Sequence, residues 1–390
     1  MLEDLVVVGS VADNPFVEDI THYLNQHEDY SDIISLKSFL NNEFCPRFII
    51  DEKDWDRIGN KLSGKTVLIV STGIGQLTRD ELSMRNCLIA RAAKDNGASW
   101  VVLLEPDLFY SAQDRGPRPE HGHTKFPRDQ ADYKKFDGQP FSARLYAELL
   151  KTSGVDEVIT VHNHSVSVQS IFMDRFSGHF HNLLPADVYA DYMRESDIVN
   201  EKGLVLCAPD RGALSFAQEV RKELGGDLPL LLMNKERHDE REVTITISPE
   251  SPCPLSEVEG KDVVILDDMV RTGSTIVECC KLIKVAKPRR VVFFVTHFYS
   301  NREGRANMND PVVDEIVTTN TIPEILNRDV QGRLRHKMVV LRIARWMSSF
   351  ILTLLEPEAE PMRGALYIED MSSKNPRWRG KMGPLFSSSD

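Results

Sequence analysis

The stretch GKDVVILDDMVRTGST, Gly260–Thr275, changes character halfway along. An apolar, β-branched run ends in two adjacent carboxylates, Asp267 and Asp268, and then breaks into a polar turn of Arg271, Thr272, Gly273, Ser274 and Thr275. The next residues, TIVECCKLIKVA, read as a helix. A strand, a glycine-containing turn and a helix make one βα unit, and an unbroken apolar run is a strand buried on both faces of a parallel sheet. Paired acids at the end of such a strand do nothing for its burial, so they mark a place where chemistry is done.

The same grammar runs along the chain. LVVVGS, KTVLIVST, WVVLLEP and EVITVH in the first half, and LVLCAPD, LPLLLMN, DVVILDD, RVVFFVTH and DEIVTTN in the second, are short β-branched runs. Helical stretches at 80–96, 141–153 and 214–224 lie between them. This alternation predicts an α/β architecture of βαβ units. The halves also echo each other: GKTVLIVST at Gly64–Thr72 matches GKDVVILDD at Gly260–Asp268 in its Gly-Lys start and apolar run. Two domains of like fold follow, with the acids, and hence the chemistry, in the second.

Composition bounds the rest. With 390 residues, 41% hydrophobic and 27% charged, the chain has the make-up of a globular protein with room for more than one core. A net charge of -12 argues against a protein that coats nucleic acid or an anionic membrane. The start, MLEDLVVVGS, has early acids and no basic segment, unlike a signal peptide. The apolar stretch 338–355 contains Arg342 and Arg345 and does not read as a membrane span. Six scattered cysteines, two of them adjacent, fit neither a disulfide framework nor a zinc site, and predict a cytoplasmic protein. Gly116–Gln139, rich in Pro, Gly and charge, reads as a long surface loop, and 356–390 as a tail.

The turn after Asp268 places backbone N–H groups at a helix N-terminus, which favours a phosphate. Thr272, Ser274 and Thr275 add hydroxyl donors. The two acids repel a phosphate, but they can accept hydrogen bonds from vicinal sugar hydroxyls or help to hold a metal. The parts describe a site for a phosphorylated sugar. The plainer alternative is a capped helix beside solvated acids.

The segment resembles the phosphoribosyl-diphosphate motif of type I phosphoribosyltransferases and, more fully, that of the ribose-phosphate pyrophosphokinases, whose other motifs follow in order along residues 5 to 325. KSFLNNEF is similar to the family's ATP-contacting loop, which implies that Phe39, Asn41 and Glu43 reach a neighbouring subunit's nucleotide. YSAQDRG resembles its nucleotide-site segment through Gln113, Asp114 and Arg115, with Ala112 and Gly116 where the family has Arg and Lys. VHNH places the family's metal-binding His at His164, with His162 where an Asp is usual; the two alternate at a strand end, so both can point the same way. CAPDRGALSFA resembles the pyrophosphate loop, whose metal-binding acid falls on Asp210. NKERHDEREV resembles the mobile catalytic loop and implies Lys235 and Arg237 as catalytic cations; taken alone, such a charged run is a solvated loop.

The resemblance implies transfer of the diphosphoryl group of ATP to the C1 hydroxyl of ribose 5-phosphate. Asp267, Asp268, Arg271, Thr272, Gly273, Ser274 and Thr275 would bind the sugar phosphate, with Mg2+ on His164 and Asp210. It also implies a homo-oligomer, dimer-based and up to a hexamer. Residues 1–181 form the first domain, with 326–355 packing back on it; 182–325 form the second, and 356–390 the tail. Two alternatives stay open. One is a non-catalytic regulatory homologue that assembles with an active synthetase. The other is an enzyme for a different sugar phosphate, since Arg271 stands where the family usually has an acid.

Overall fold

The computed structural model describes residues 2–26, 30–50, 53–73, 77–124, 127–237 and 243–370. The chain divides into two units, Met1–Leu183 with Ala344–Met362, and Leu184–Ile343 with Arg363–Asp390.

In the first unit β1 (Leu5–Gly9), β4 (Thr66–Val70), β5 (Trp100–Leu104), β6 (Glu157–Val161) and β7 (Phe180–Leu183) form a parallel sheet in the order β1-β4-β5-β6-β7, while β2 (Ile34–Ser38) and β3 (Phe44–Phe48) make a separate hairpin. Val67, Ile69, Val101, Leu103 and Val158 are buried in one apolar cluster with residues of the flanking helices. The helix Arg79–Asp95 starts at a capping box: the Thr78 hydroxyl accepts from the Glu81 N–H, and the Glu81 carboxylate accepts from the Thr78 N–H at 2.7 Å.

The second unit repeats the plan. β8 (Leu204–Ala208), β11 (Asp262–Val270), β12 (Arg290–Phe298), β13 (Glu315–Thr319) and β14 (Met338–Arg342) run parallel in the order β8-β11-β12-β13-β14. A hairpin of β9 (Leu230–Arg237) and β10 (Val243–Ile247) extends the β8 edge, and β15 (Ile368–Glu369) pairs antiparallel on β14. Hairpin after the first strand, then four more parallel strands: both units follow one order, so the duplication that the Gly-Lys echo suggests is a duplication of topology. β4 and β11, the echoing strands, hold equivalent places.

Three expectations need correction. The returning segment starts later than 326: β14 belongs to the second sheet, and the part that joins the first unit is Ala344–Met362, whose helix Ala344–Leu355 packs on the helix Pro15–Tyr23 with Phe350 edge-on to His181 at 5.2 Å. The stretch 116–139 is not a plain surface loop, because it contains the helix Gln130–Lys135 and the nearly buried Arg128 side chain. The expected tail is divided: 356–362 belong to the first unit, the residues from Arg363 on belong to the second and include β15, and 371–390 lie outside the described residues.

Candidate active site

Each end of β11 carries acid, and the two ends are built differently. At its start the buried Asp262 accepts from Arg289 Nε at 2.6 Å and Arg290 Nε at 2.9 Å, an ion-paired structural acid. Towards its finish Asp267 and Asp268 are half-buried, and the Asp268 N–H donates to Asp267 Oδ1 at 2.9 Å. Burial, with Asp268 and Asp210 nearby, raises the Asp267 carboxyl well above the usual carboxylate range. So the structure brings Asp210, just beyond β8, near Asp267 and Asp268, which lie within the last four residues of β11, at the carboxyl side of the sheet where open α/β sheets place their ligands.

The turn after Val270 is held from behind. Asn301 Nδ2 donates to Arg271 O at 2.6 Å and Asn307 Nδ2 to Thr272 O at 2.8 Å. Gly273 adopts φ 77° as the N-cap of the helix Ser274–Val285, and a Cβ there would lie 2.7 Å from Met308 Cε. Its backbone angle therefore demands glycine, and a Cβ would also have to displace the end of the Met308 side chain. With the carbonyls tied down, the first turn of the helix offers its N–H groups, and Thr272, Ser274 and Thr275 stand exposed or half-exposed beside them. Arg271 is exposed.

Asp210 lies in the turn between β8 and the helix Leu214–Glu223. Its Oδ1 accepts from the N–H of Gly212 at 2.8 Å and of Ala213 at 3.2 Å, which fixes the carboxylate at the helix start. On the next strand, β9, Lys235 is half-buried and faces Ile245 across the hairpin, while Arg237 is opposite Val243. Both therefore lie on a paired strand rather than in the loop that their charged surroundings suggest. The rest of that run, 238–242, lies outside the described residues.

In the first unit the loops after β5 and β6 meet. Ser165 Oγ donates to Asp114 Oδ2 and Ser167 Oγ to Asp114 O, each at 2.7 Å, and Ser142 Oγ donates to Gln113 Oε1 at 2.5 Å. Arg115 is ion-paired with Asp114 and Asp132. His164, the residue before Ser165, is exposed. The expected alternation of His162 and His164 fails: β6 stops at Val161, His162 takes φ 47° and is buried, and only His164 faces solvent. Phe39, Asn41 and Glu43 form the exposed turn joining β2 to β3, closed by Phe39 N–H donating to Glu43 O at 2.8 Å. Among the described residues no hydrogen bond or ring contact joins that turn to Gln113, Asp114 or Arg115.

Several supporting residues escape motif reading. Asn301 and Asn307 are ordinary surface residues in the sequence, and only the fold brings them behind the turn. Glu105 does carry a signal, an acid directly after an apolar strand. Burial pushes its carboxyl up to about 8, against hydrogen bonds from the Tyr146 hydroxyl and the Phe109 N–H. It anchors the start of the loop that holds Gln113, Asp114 and Arg115.

A doubly wound fold with acids and a phosphate-type turn at the ends of its strands defines a protein of the phosphoribosyltransferase class. Accordingly, residues 186–328 match the phosphoribosyl transferase domain family. The ribose-phosphate pyrophosphokinase of Corynebacterium efficiens is 32% identical over 251 residues, 63% of this chain and 73% of that protein. Ribose-phosphate pyrophosphokinase 4 of Saccharomyces cerevisiae is 26% identical over 318 residues, 80% of this chain and 86% of that one. The crystal structure of phosphoribosylpyrophosphate synthetase from Mycobacterium smegmatis shares the fold, with a TM-score of 0.69 at 21% identity over 91% of this chain and 99% of that one. This chain belongs to the ribose-phosphate pyrophosphokinase family and is an enzyme. Among the described residues no helix is long and apolar enough to cross a membrane.

Proposed function

We propose that the chain transfers the β,γ-diphosphoryl group of ATP to the C1 hydroxyl of ribose 5-phosphate, giving 5-phosphoribosyl 1-diphosphate and AMP, as a cytoplasmic homo-oligomer. The observation that carries this reading is the grouping at the ends of the neighbouring strands β9, β8 and β11: Lys235, Asp210, and the acid pair with its glycine-headed turn. The N–H groups of Ser274 and Thr275 would hold the 5-phosphate, and Asp267 and Asp268 would accept from the ribose hydroxyls. Lys235 and Arg237 would stabilise charge that develops on the transferred group.

Mg2+ prefers carboxylates and phosphate oxygens and retains several waters, so it needs no cage of protein ligands. Asp210, a carboxylate oriented by two backbone N–H groups, fits that preference and would be its main protein ligand in the second unit; in the first unit the exposed His164 is the proposed metal-binding side chain. Among the described residues no group of three or more His, Cys, Asp or Glu side chains forms a ready-made metal cluster. Bound at Asp210, Mg2+ would neutralise phosphate charge.

On the nucleotide side, Gln113, Asp114 and Arg115 would receive ATP. Phe39, 59% exposed at a hairpin tip beside the fully exposed Leu40, would serve a neighbouring subunit. An apolar tip held in water is stabilised only when something covers it.

Incubation with ATP, Mg2+ and ribose 5-phosphate should release AMP in step with a diphosphorylated sugar. No AMP under varied metal and phosphate concentrations would overturn the reaction and favour a regulatory role. Arg271 supports one second reading, an enzyme for a different sugar phosphate, because its exposed cation stands beside the turn. Activity with another sugar phosphate in place of ribose 5-phosphate would select it.

A further inference from the structure

The stretch after Gly116 folds back onto the Gln113-Asp114-Arg115 segment of its own unit. Its organiser is Arg128, whose side chain is 4% exposed. Arg128 donates Nη2 to Gly116 O at 2.7 Å, Nη1 to His121 O at 2.9 Å and Nε to Asp132 Oδ2 at 2.6 Å. Asp132 then turns its other oxygen to Arg115, accepting from Nη1 at 2.8 Å. On its other side Arg115 donates Nε to Asp114 Oδ1 at 3.2 Å, and its guanidinium lies 4.8 Å over the Phe136 ring. Among the described residues Arg115 Nη2 makes no hydrogen bond.

Two glycines permit this close approach. A Cβ at Gly122 would lie 2.5 Å from Asp114 O and 2.6 Å from Ser167 Oγ, and one at Gly116 would lie 2.8 Å from His121 Nδ1. Gly116 is thus a requirement of the folded-back stretch.

The charges define what the cluster can do. Arg115 and Arg128 stand against Asp114 and Asp132, so the cluster is neutral and adds little positive field. What it supplies is orientation. A guanidinium gripped at Nε and Nη1 and backed by a ring presents its remaining edge in one direction, and its ordering cost is met before any ligand arrives.

Resting on the reading of Arg115 as a nucleotide-side residue, we propose that Asp132, backed by Phe136, is a positioning residue for the nucleotide: it fixes Arg115 so that the Nη2 edge meets an anionic phosphate of a nucleoside triphosphate. The folded-back stretch thereby supplies rigidity on a surface that lacks cations at 112 and 116.

The test compares the KM for ATP and kcat of the full-length wild type with Asp132→Asn, Arg115→Ala and the double variant, and repeats the comparison as Kd by calorimetric titration with ATP. Asp132→Asn should raise KM and Kd about 10-fold with kcat within about 3-fold, a loss typical of one charge-assisted contact. Arg115→Ala should do the same, and the double variant should be no worse than Arg115→Ala alone. An unchanged or tighter Kd for Asp132→Asn, or additive losses in the double variant, would overturn the positioning role. An unchanged Kd for Arg115→Ala would instead overturn the placement of the nucleotide at Arg115. The calorimetric arm holds even where no turnover is found, which would sink only the reaction. Should Asp132→Asn fail to fold, Phe136→Leu keeps all four charges and should weaken ATP about 3-fold; no change there would equally overturn the proposal.

Discussion

The backbone N–H of Asp268 donates to Asp267 Oδ1 at 2.9 Å, so the main chain itself fixes the orientation of the first acid at the end of β11. That acid is costly. Burial, with Asp268 and Asp210 close by, raises its carboxyl well above the ordinary range. A carboxyl raised in the folded state keeps a proton that the unfolded chain has already released near pH ~4, so stability falls as pH rises from there towards the folded value. Asp267→Asn removes this cost. The variant should melt higher than wild type at pH 8 while kcat/KM for ribose 5-phosphate drops on the order of 100-fold. Melting curves at pH 5 and pH 8 beside an AMP-release assay check both halves, and a lower melting point at both pH values would mean that the carboxylate supports the fold.

Glu105 invites the same logic in the first unit. Its carboxyl is pushed up to about 8 by burial, from an ordinary value of 4.5, so the native state holds the extra proton across that whole interval. Stability contributed by the protonated form is present at pH 4.5 and is lost as pH climbs through 8. Glu105→Gln keeps the shape and removes the titration. Its melting temperature should stay flatter than wild type's between pH 5 and 8.5 and exceed it at the upper end. A parallel pH profile for the two proteins would show that Glu105 titrates normally.

Gly273 sits at φ 77° with Met308 Cε 2.7 Å from where a Cβ would stand. Gly273→Ala should cost roughly 1–3 kcal/mol of stability, from the left-handed angle and the clash together. It should also raise KM for ribose 5-phosphate more than KM for ATP, because the turn's N–H groups shift. Adding Met308→Ala removes the clash but not the backbone strain, so only part of the loss should return. Full recovery would mean that the angle itself is tolerated.

The fold was legible because parallel strands buried on both faces are written as unbroken β-branched runs, and all nine such runs became strands. β2, β3, β7 and β14 were harder to see. FCPRF includes a Pro and FHNL alternates weakly, and MVVLR reads equally well as part of an apolar helix. The acid pair and the glycine turn stood out because local chemistry alone makes them odd. Asn301, Asn307 and Asp132 did not, since their roles arise from carbonyls and a guanidinium brought near by the fold. His162 and His164 misled through period-two reasoning, which fails once a residue takes a positive φ, as His162 does at 47°.

Lys235 separates a catalytic cation from a merely solvated one. It is half-buried on β9, one strand from the Asp210 turn and two from the acid pair, and its register opposite Ile245 fixes where its stem leaves the sheet. A flexible charge in a solvated loop would tolerate removal. A charge held on a paired strand and aimed at the transferred group would not. Lys235→Ala should lower kcat by roughly 10²–10³-fold while KM for ribose 5-phosphate changes little, since the interaction strengthens only as charge develops. Lys235→Arg, which keeps the charge on a longer planar head, should recover part of that rate. Rapid-quench measurement of AMP in a single turnover isolates the chemical step. If that rate is unchanged in Lys235→Ala, the lysine belongs to the hairpin's structure, and Arg237 becomes the cation to test next.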